Sequence, residues 1–205
     1  MGSFLRVGSV AGATAVGLVL GGGAVYAVSG GSAEEDDPVR AVRSPCNLAA
    51  RELLDDVVPD PVVLSSSRLA EPGSEWWTGA DCALAPKGAS ERALTLRLER
   101  VGPRSEDVEP GKKRKIVVRP GTEEARSRFD AALSERSRPC ALQVVPGLGD
   151  QAAACEGTDY DDETPAYRLL VRRGDLLLNA VGTGEAARRR EPLRRLAVSV
   201  LEAAR

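Results

Sequence analysis

The chain opens on an apolar run and then changes character. Residues 7–28 (VGSVAGATAVGLVLGGGAVYAV) contain no charged side chain across 22 positions. At a helical rise of about 1.5 Å per residue such a run is roughly 33 Å long, enough to cross a hydrocarbon layer about 30 Å thick. Arg6 precedes it and Glu34, Glu35, Asp36 and Asp37 follow it, so the positive-inside rule leaves the N-terminus in the cytoplasm and exports the rest. The pattern predicts one transmembrane anchor within residues 1–28. A cleaved signal peptide is the alternative, with Val25-Tyr26-Ala27 as the small-x-small site and secretion after cleavage near Ala27. The apolar run is longer than the roughly 7–15 residues of a signal core, which favours the anchor. Residues 29–43 are small, polar and charged, and read as a flexible linker.

Beyond the linker, residues 44–205 carry alternating helical and strand-like periods. Ser44-Pro45 provides a helix start. Cys46, Ala50, Leu53, Leu54 and Val57 then recur on one helical face until Pro59 and Pro61. Residues 65–67, three serines, read as loop, and a short strand is predicted around residues 81–85. Leu94, Leu96 and Leu98 alternate with Thr95, Arg97 and Glu99, the signature of a half-buried strand. Residues 102–115 are polar and punctuated by Pro and Gly, hence loop, and residues 116–118 suggest a short strand. Thr122 is placed to cap a helix with Ala125, Phe129, Ala132 and Leu133 on its apolar face. Two hairpins follow, residues 140–145 with 151–156 through PGLGD, and 167–172 with 176–181 through Arg173-Gly174-Asp175. A final helix carries Leu193, Leu196, Ala197, Val200 and Ala204 in one stripe. The expected fold class is α+β, a largely antiparallel sheet with flanking helices.

Composition narrows the chemistry. Aromatics are only 3% of the chain, so the core must be built from Leu, Val and Ala. Histidine is absent, which removes Ser-His-Asp and Cys-His catalysis and most catalytic zinc sites. The net charge of −2, with basic residues spread along the chain, argues against nucleic acid as a partner.

The four cysteines, Cys46, Cys82, Cys140 and Cys155, are an even set in an exported chain and predict two disulfides. Cys140 and Cys155 lie symmetrically about the Gly147–Gly149 turn, which pairs them across the hairpin and leaves Cys46 with Cys82. No CxxC spacing or histidine supports a metal site, so neither metal nor cofactor is expected.

Other clusters are weighed against plainer readings. Arg173-Gly174-Asp175 matches an adhesion tripeptide, yet its position between two apolar strands calls for a hairpin turn. Asp159, Asp161, Asp162 and Glu163 are oxygen-rich but lack the spacing of a calcium loop. Lys112, Lys113, Arg114 and Lys115 form a basic run that reads as a charged loop. Trp76 and Trp77 mark the preferred place for a ligand surface, one ring packing near the Cys46–Cys82 bridge and the other lining a groove. Gly8 and Gly12, and Gly17 and Gly21, have the small-xxx-small spacing through which two membrane helices pack, so a homodimer through that helix is a candidate assembly.

An export segment, WWTGADC at residues 76–82, PGLGDQA at residues 146–152 and a final amphipathic helix together resemble actinobacterial membrane-anchored or lipoprotein-like envelope proteins of unknown function. That group is distantly similar to extracellular sensor domains and PsbP-like α/β sandwiches. The arginine-rich, lysine-poor composition fits a GC-rich genome of that kind. No cysteine ends the apolar run, a departure from a lipoprotein. The resemblance brings no catalytic residues and implies a binding or accessory role.

The sequence therefore leads to a membrane-tethered extracytoplasmic module that binds an envelope ligand or a membrane-protein partner without catalysis. Two other readings are an exported carboxylate-dependent hydrolase acting on envelope glycans and a structural subunit of a membrane complex. Intact mass of the native protein checks the N-terminus: a retained anchor leaves residues 1–27 on the chain, whereas a mass lacking them would establish signal cleavage.

Overall fold

Alternating leucines set the centre of the molecule. In the computed structural model, which describes residues 40–69, 76–107, 116–135, 140–158 and 164–205, β3 (Leu94–Val101) buries Leu94, Leu96 and Leu98 on one face. Its partner β9 (Leu176–Thr183) runs antiparallel to it, with Ala180 opposite Leu96 and Leu178 opposite Leu98. Next to β3 lie β2 (Trp77–Pro86) and the edge strand β1 (Pro61–Leu69). On the far side of β9 come β8 (Pro165–Arg173), β7 (Gln151–Thr158) and the two-residue β6 (Gln143–Val144). The result is a seven-stranded sheet of order β1-β2-β3-β9-β8-β7-β6, antiparallel throughout. It consists of two meanders fused where β3 meets β9.

Helices cover the two faces unequally. On the leucine face sit α1 (Pro45–Leu48), α2 (Arg51–Val57), α4 (Glu185–Arg188) and α5 (Arg190–Ala203). The α5 stripe of Leu193, Leu196, Ala197, Val200 and Leu201 is buried against β8 and β9 and packs with the leucines of β3 in one core. Among the described residues the other face receives only α3 (Gly121–Ser134), whose Ala125 and Phe129 pack with Val101, Ala153, Leu170 and Leu177. The chain reaches α3 through a ribbon of β4 (Arg104–Asp107) and β5 (Ile116–Arg119) that is separate from the main sheet.

The expected α+β class, with a large antiparallel sheet and flanking helices, is present, with differences of detail that have physical causes. The helix expected from Cys46 to Val57 is two short helices, because Ala49 and Ala50 adopt extended backbone between them. This break lets α1 follow its tether to β2 while α2 packs on α5. The serine loop is instead part of β1, a strand exposed from Val62 to Arg68, which has no inside-outside alternation to read. Strand β2 is longer than expected because Cys82, Ala83, Leu84 and Ala85 are buried on both faces, so it too lacks a period of two. Residues 104–107, read as loop, form β4 with β5. The strand expected over residues 140–145 contracts to β6. Helix α3 begins at Gly121 after Pro120, with no side-chain cap from Thr122.

Both disulfides have the expected pairing. Cys46–Cys82 ties α1 to β2, and Cys140–Cys155 ties the segment before β6 to β7. They suit an oxidising, extracellular compartment. The expected membrane span in residues 1–28, its glycine pairs, the cleavage point near Ala27 and linker residues 29–39 lie outside the described residues. Among the described residues no helix is long and apolar enough to cross a membrane.

Leu96 is fully buried where β3 meets the helical layer. Leu96→Ala should lower the unfolding free energy by roughly 2–5 kcal/mol, the usual range for deleting a buried leucine side chain. Urea unfolding monitored by circular dichroism checks this, and a loss under about 1 kcal/mol would contradict the packing described.

Candidate functional site

The unequal cover leaves a recess on the α3 face. Parity along β3 puts Arg97 and Glu99 on that face, opposite to the buried leucines. Parity along β8 and β9 brings Leu170, Leu177 and Asn179 to the same side. Helix α3 packs on Leu170 and Leu177, while Arg97 stays exposed and Asn179 half-buried beside it. A cleft of about 240 Å³ remains, lined by Arg97, Glu99, Arg128, Leu170, Leu177 and Asn179, with Ala132 completing its wall.

Two close backbone approaches position the helix and the aromatic rings. A methyl group at Gly121 would lie 2.1 Å from the carbonyl oxygen of Val101, so only glycine lets α3 start directly over the end of β3. A methyl group at Gly79 would lie 3.2 Å from Cζ3 of Trp77, so the bare strand there gives the indole room. Trp77 is buried opposite Val101, and Trp76, half-buried, anchors its turn by accepting the Gly102 N–H at 2.7 Å.

Arginines join these rings to the cleft. The Arg128 guanidinium lies 4.5 Å from the Trp76 ring centre and 6.0 Å from that of Trp77, and Arg104 covers Trp76 at 5.3 Å. Guanidinium groups stack on indole faces through the ring quadrupole, an interaction worth roughly 0.5–2 kcal/mol depending on exposure. Glu99 organises the cationic side: its Oε1 accepts from Arg97 Nε at 2.6 Å and its Oε2 from Arg128 Nη1 at 3.3 Å. Glu124, buried one helical turn before Arg128, lies 3.7 Å from Arg128 Nε and 4.0 Å from Arg104. Arg128 is thus fixed by two carboxylates and an indole, whereas the Arg97 side chain remains 46% exposed at the cleft mouth. Arg97, Arg128 and Glu99 leave the cleft with one net positive charge above an apolar floor of Leu170 and Leu177.

Of the residues singled out by sequence, Trp76 and Trp77 do not line the cleft themselves and reach it only through Arg128, which stacks on Trp76 and lies near Trp77. Neither supports the Cys46–Cys82 bridge as expected. Trp77 and Cys82 are five positions apart on β2, so they point to opposite faces, and the Trp76 ring stacks with arginines of the α3 side. Arg173-Gly174-Asp175 is a hairpin turn tied into the fold. Gly174 has φ of 62°, its N–H donates to Asp150 Oδ2 at 2.7 Å, and Asp175 accepts the Val101 N–H at 2.9 Å. PGLGDQA is likewise structural, since Asp150 clamps that neighbouring turn and Gln151 Oε1 accepts from Arg172 Nε at 2.6 Å. Asp159, Asp161, Asp162 and Glu163, and Lys112 to Lys115, lie outside the described residues. Among the described residues no group of three His, Cys, Asp or Glu is placed to hold a metal ion.

Sequence reasoning missed Arg97, Glu99 and Arg128 as a set. The signal was half visible: Arg97 and Glu99 occupy the polar side of the clearest strand, and Glu124 and Arg128 flank the helix stripe at i and i+4. What joins them is the packing of α3 on the sheet. No family model, curated protein or solved structure matches the chain.

Glu99 is the common acceptor, so Glu99→Gln should free Arg128 from one of its anchors. The expected outcome is a changed tryptophan emission spectrum with the melting temperature shifted by only a few degrees, since partly exposed ion pairs contribute about 1 kcal/mol or less. An unchanged spectrum would show that Glu99 does not set the Arg128–Trp76 contact.

Proposed function

We propose that the chain is a non-enzymatic binding module of the cell envelope, held at the membrane by its N-terminal segment with the disulfide-bonded domain outside. The observation that carries the reading is the cleft between α3 and the sheet, where a half-exposed arginine stands over a leucine floor. Such a site suits a small ligand with an acidic group for Arg97 and a short apolar portion for Leu170 and Leu177. Asn179 offers both a donor and an acceptor for a neighbouring polar group. The apolar run of residues 7–28 supports the tether, the two disulfides support an oxidising location, and the resemblance to actinobacterial envelope proteins supports an accessory role. The absence of histidine throughout the chain removes the commonest general base from any catalytic alternative.

The chain contains two tryptophans, and both contact Arg128, so intrinsic fluorescence reports on this cleft. Soluble peptidoglycan fragments, which carry carboxylates, are the first probe. They should change the emission saturably and be recovered chemically unchanged. Arg97→Ala should weaken binding at least about tenfold, as expected for loss of a charged hydrogen bond worth roughly 1.5–3 kcal/mol. Catalytic turnover of the fragments would overturn the non-enzymatic reading. Binding that is indifferent to Arg97→Ala would remove the cleft as its site.

A further inference from the structure

A second recess lies on the opposite side of the sheet, where α5 passes the β6–β7 edge. This groove has a volume of about 480 Å³ and is walled on one side by Cys140–Cys155 and on the other by α5. Arg190 and Arg194, one helical turn apart, both line it, and Tyr167 of β8 forms part of its floor. The Tyr167 side chain is only 3% exposed. Its hydroxyl oxygen accepts from Arg194 Nε at 3.4 Å, and its ring lies under the Arg190 guanidinium at 5.8 Å. Among the described residues nothing accepts the hydroxyl proton of Tyr167. A buried phenol therefore presents a donor unused by any described residue at the base of the groove, beside the Arg190 and Arg194 guanidinium groups.

The charges above it are incompletely matched. Arg190 donates to Glu156 at 2.5 Å, while Arg194 meets Glu191 only at 3.9 Å, beyond hydrogen-bond length. Among the described residues that line the groove, Arg190, Arg194 and Glu156 leave one positive charge, with Glu191, which is not part of the lining, 3.9 Å from Arg194. The neighbouring Arg195 is turned away, paired with Asp56 at 3.1 Å.

We infer that this groove binds a singly charged phosphodiester group through Arg194, Arg190 and the Tyr167 hydroxyl. Three donors approaching from the helix and from the sheet floor suit a tetrahedral oxyanion, whose oxygens point in several directions, better than a planar carboxylate. One net positive charge matches a diester rather than a doubly charged monoester. Guanidinium groups bind phosphate oxygens in a bidentate fashion, and among the described residues the terminal nitrogens of Arg194 make no polar contact closer than the 3.9 Å approach of Nη1 to Glu191. The site shares no residue with the Arg97 cleft and stands or falls independently of it.

Two sources supply such a group in an envelope: the headgroup of an anionic phospholipid and a glycerol-phosphate polymer. The test uses the full-length chain in a neutral detergent with isothermal titration calorimetry. Glycerophosphoglycerol serves as the soluble diester and dihexanoyl phosphatidylglycerol as the short-chain lipid, with acetate as the carboxylate control. Saturable binding of a diester, with acetate at least tenfold weaker, is the expected result. Equal affinity for both diesters would assign recognition to the phosphodiester alone, and tighter binding of the lipid would assign the lipid source.

Arg194→Gln should weaken diester binding at least tenfold. Tyr167→Phe, which keeps the buried ring and removes only the hydroxyl, should weaken it about threefold. Arg195→Gln, on the same helix but turned away, should leave it unchanged. The inference is overturned if neither diester saturates, if acetate binds equally well, or if Arg195→Gln costs as much as Arg194→Gln. It is also overturned if Tyr167→Phe, folded by near-ultraviolet circular dichroism, binds as the parent does.

Discussion

The pairing of β3 with β9 is the constraint on which the rest of the structure depends. These strands are separated by more of the chain than any other neighbours in the sheet, and they fuse two meanders into one platform. Neither disulfide crosses this seam. Cys46–Cys82 closes a loop within the first half, and Cys140–Cys155 closes one within the second. In the chain-entropy picture each closure contributes about 3–4 kcal/mol to its own half. The seam itself rests on ladder hydrogen bonds and on the leucines that both strands bury under α5. Its ends are fastened by backbone bonds, Val101 N–H to Asp175 at one end and Thr183 N–H to Ala93 at the other, each 2.9 Å. Arg100 strengthens the first end by pairing with Asp175 at 3.5 Å and donating to the Ala204 carbonyl at 2.6 Å, which ties the seam to the end of α5.

The seam also explains why the two faces differ. The leucine face is covered by helices from both ends of the described chain, which is possible only because the meanders share one sheet. The opposite face depends on the excursion between β3 and β6, and among the described residues that excursion supplies a single helix. One helix cannot cover seven strands, so polar side chains of β3 and β9 remain at its margin. The Arg97 cleft lies along that margin, and the Arg190–Arg194 groove lies along the corresponding margin of α5 at the other face.

Both recesses are built from the same materials. Each places arginine over an aromatic ring and holds it with a glutamate: Arg128 over Trp76 with Glu99, and Arg190 over Tyr167 with Glu156. With so few aromatics in the core, three of them are committed to these arginine-bearing edges. The long arginine stems cover apolar surface while the charged ends reach the openings, so the same side chains both pack and present charge at the recesses.

The amino-acid sequence by itself determined the elements whose pattern is imposed by burial on one side, or, for β8 and β9, by the turn that joins them. The leucine alternation of β3, the stripes of α3 and α5, the β8–β9 hairpin and both cysteine pairings follow from local period and turn chemistry, and the structure has them. Elements buried on both faces or on neither carried no period, and without a tight turn to mark their ends the full length of β2 and the whole of β1 were not legible. The candidate site was legible only in fragments. Trp76 and Trp77 were visible as rare residues, and Arg97 and Glu99 as the polar side of a strand. Their partners come from α3, and no local rule says which sheet face that helix crosses. That choice was made by tertiary packing, through the close approach of Gly121 to Val101 and the fit of Phe129 among Leu170 and Leu177, because the energy of such contacts exists only once distant segments meet.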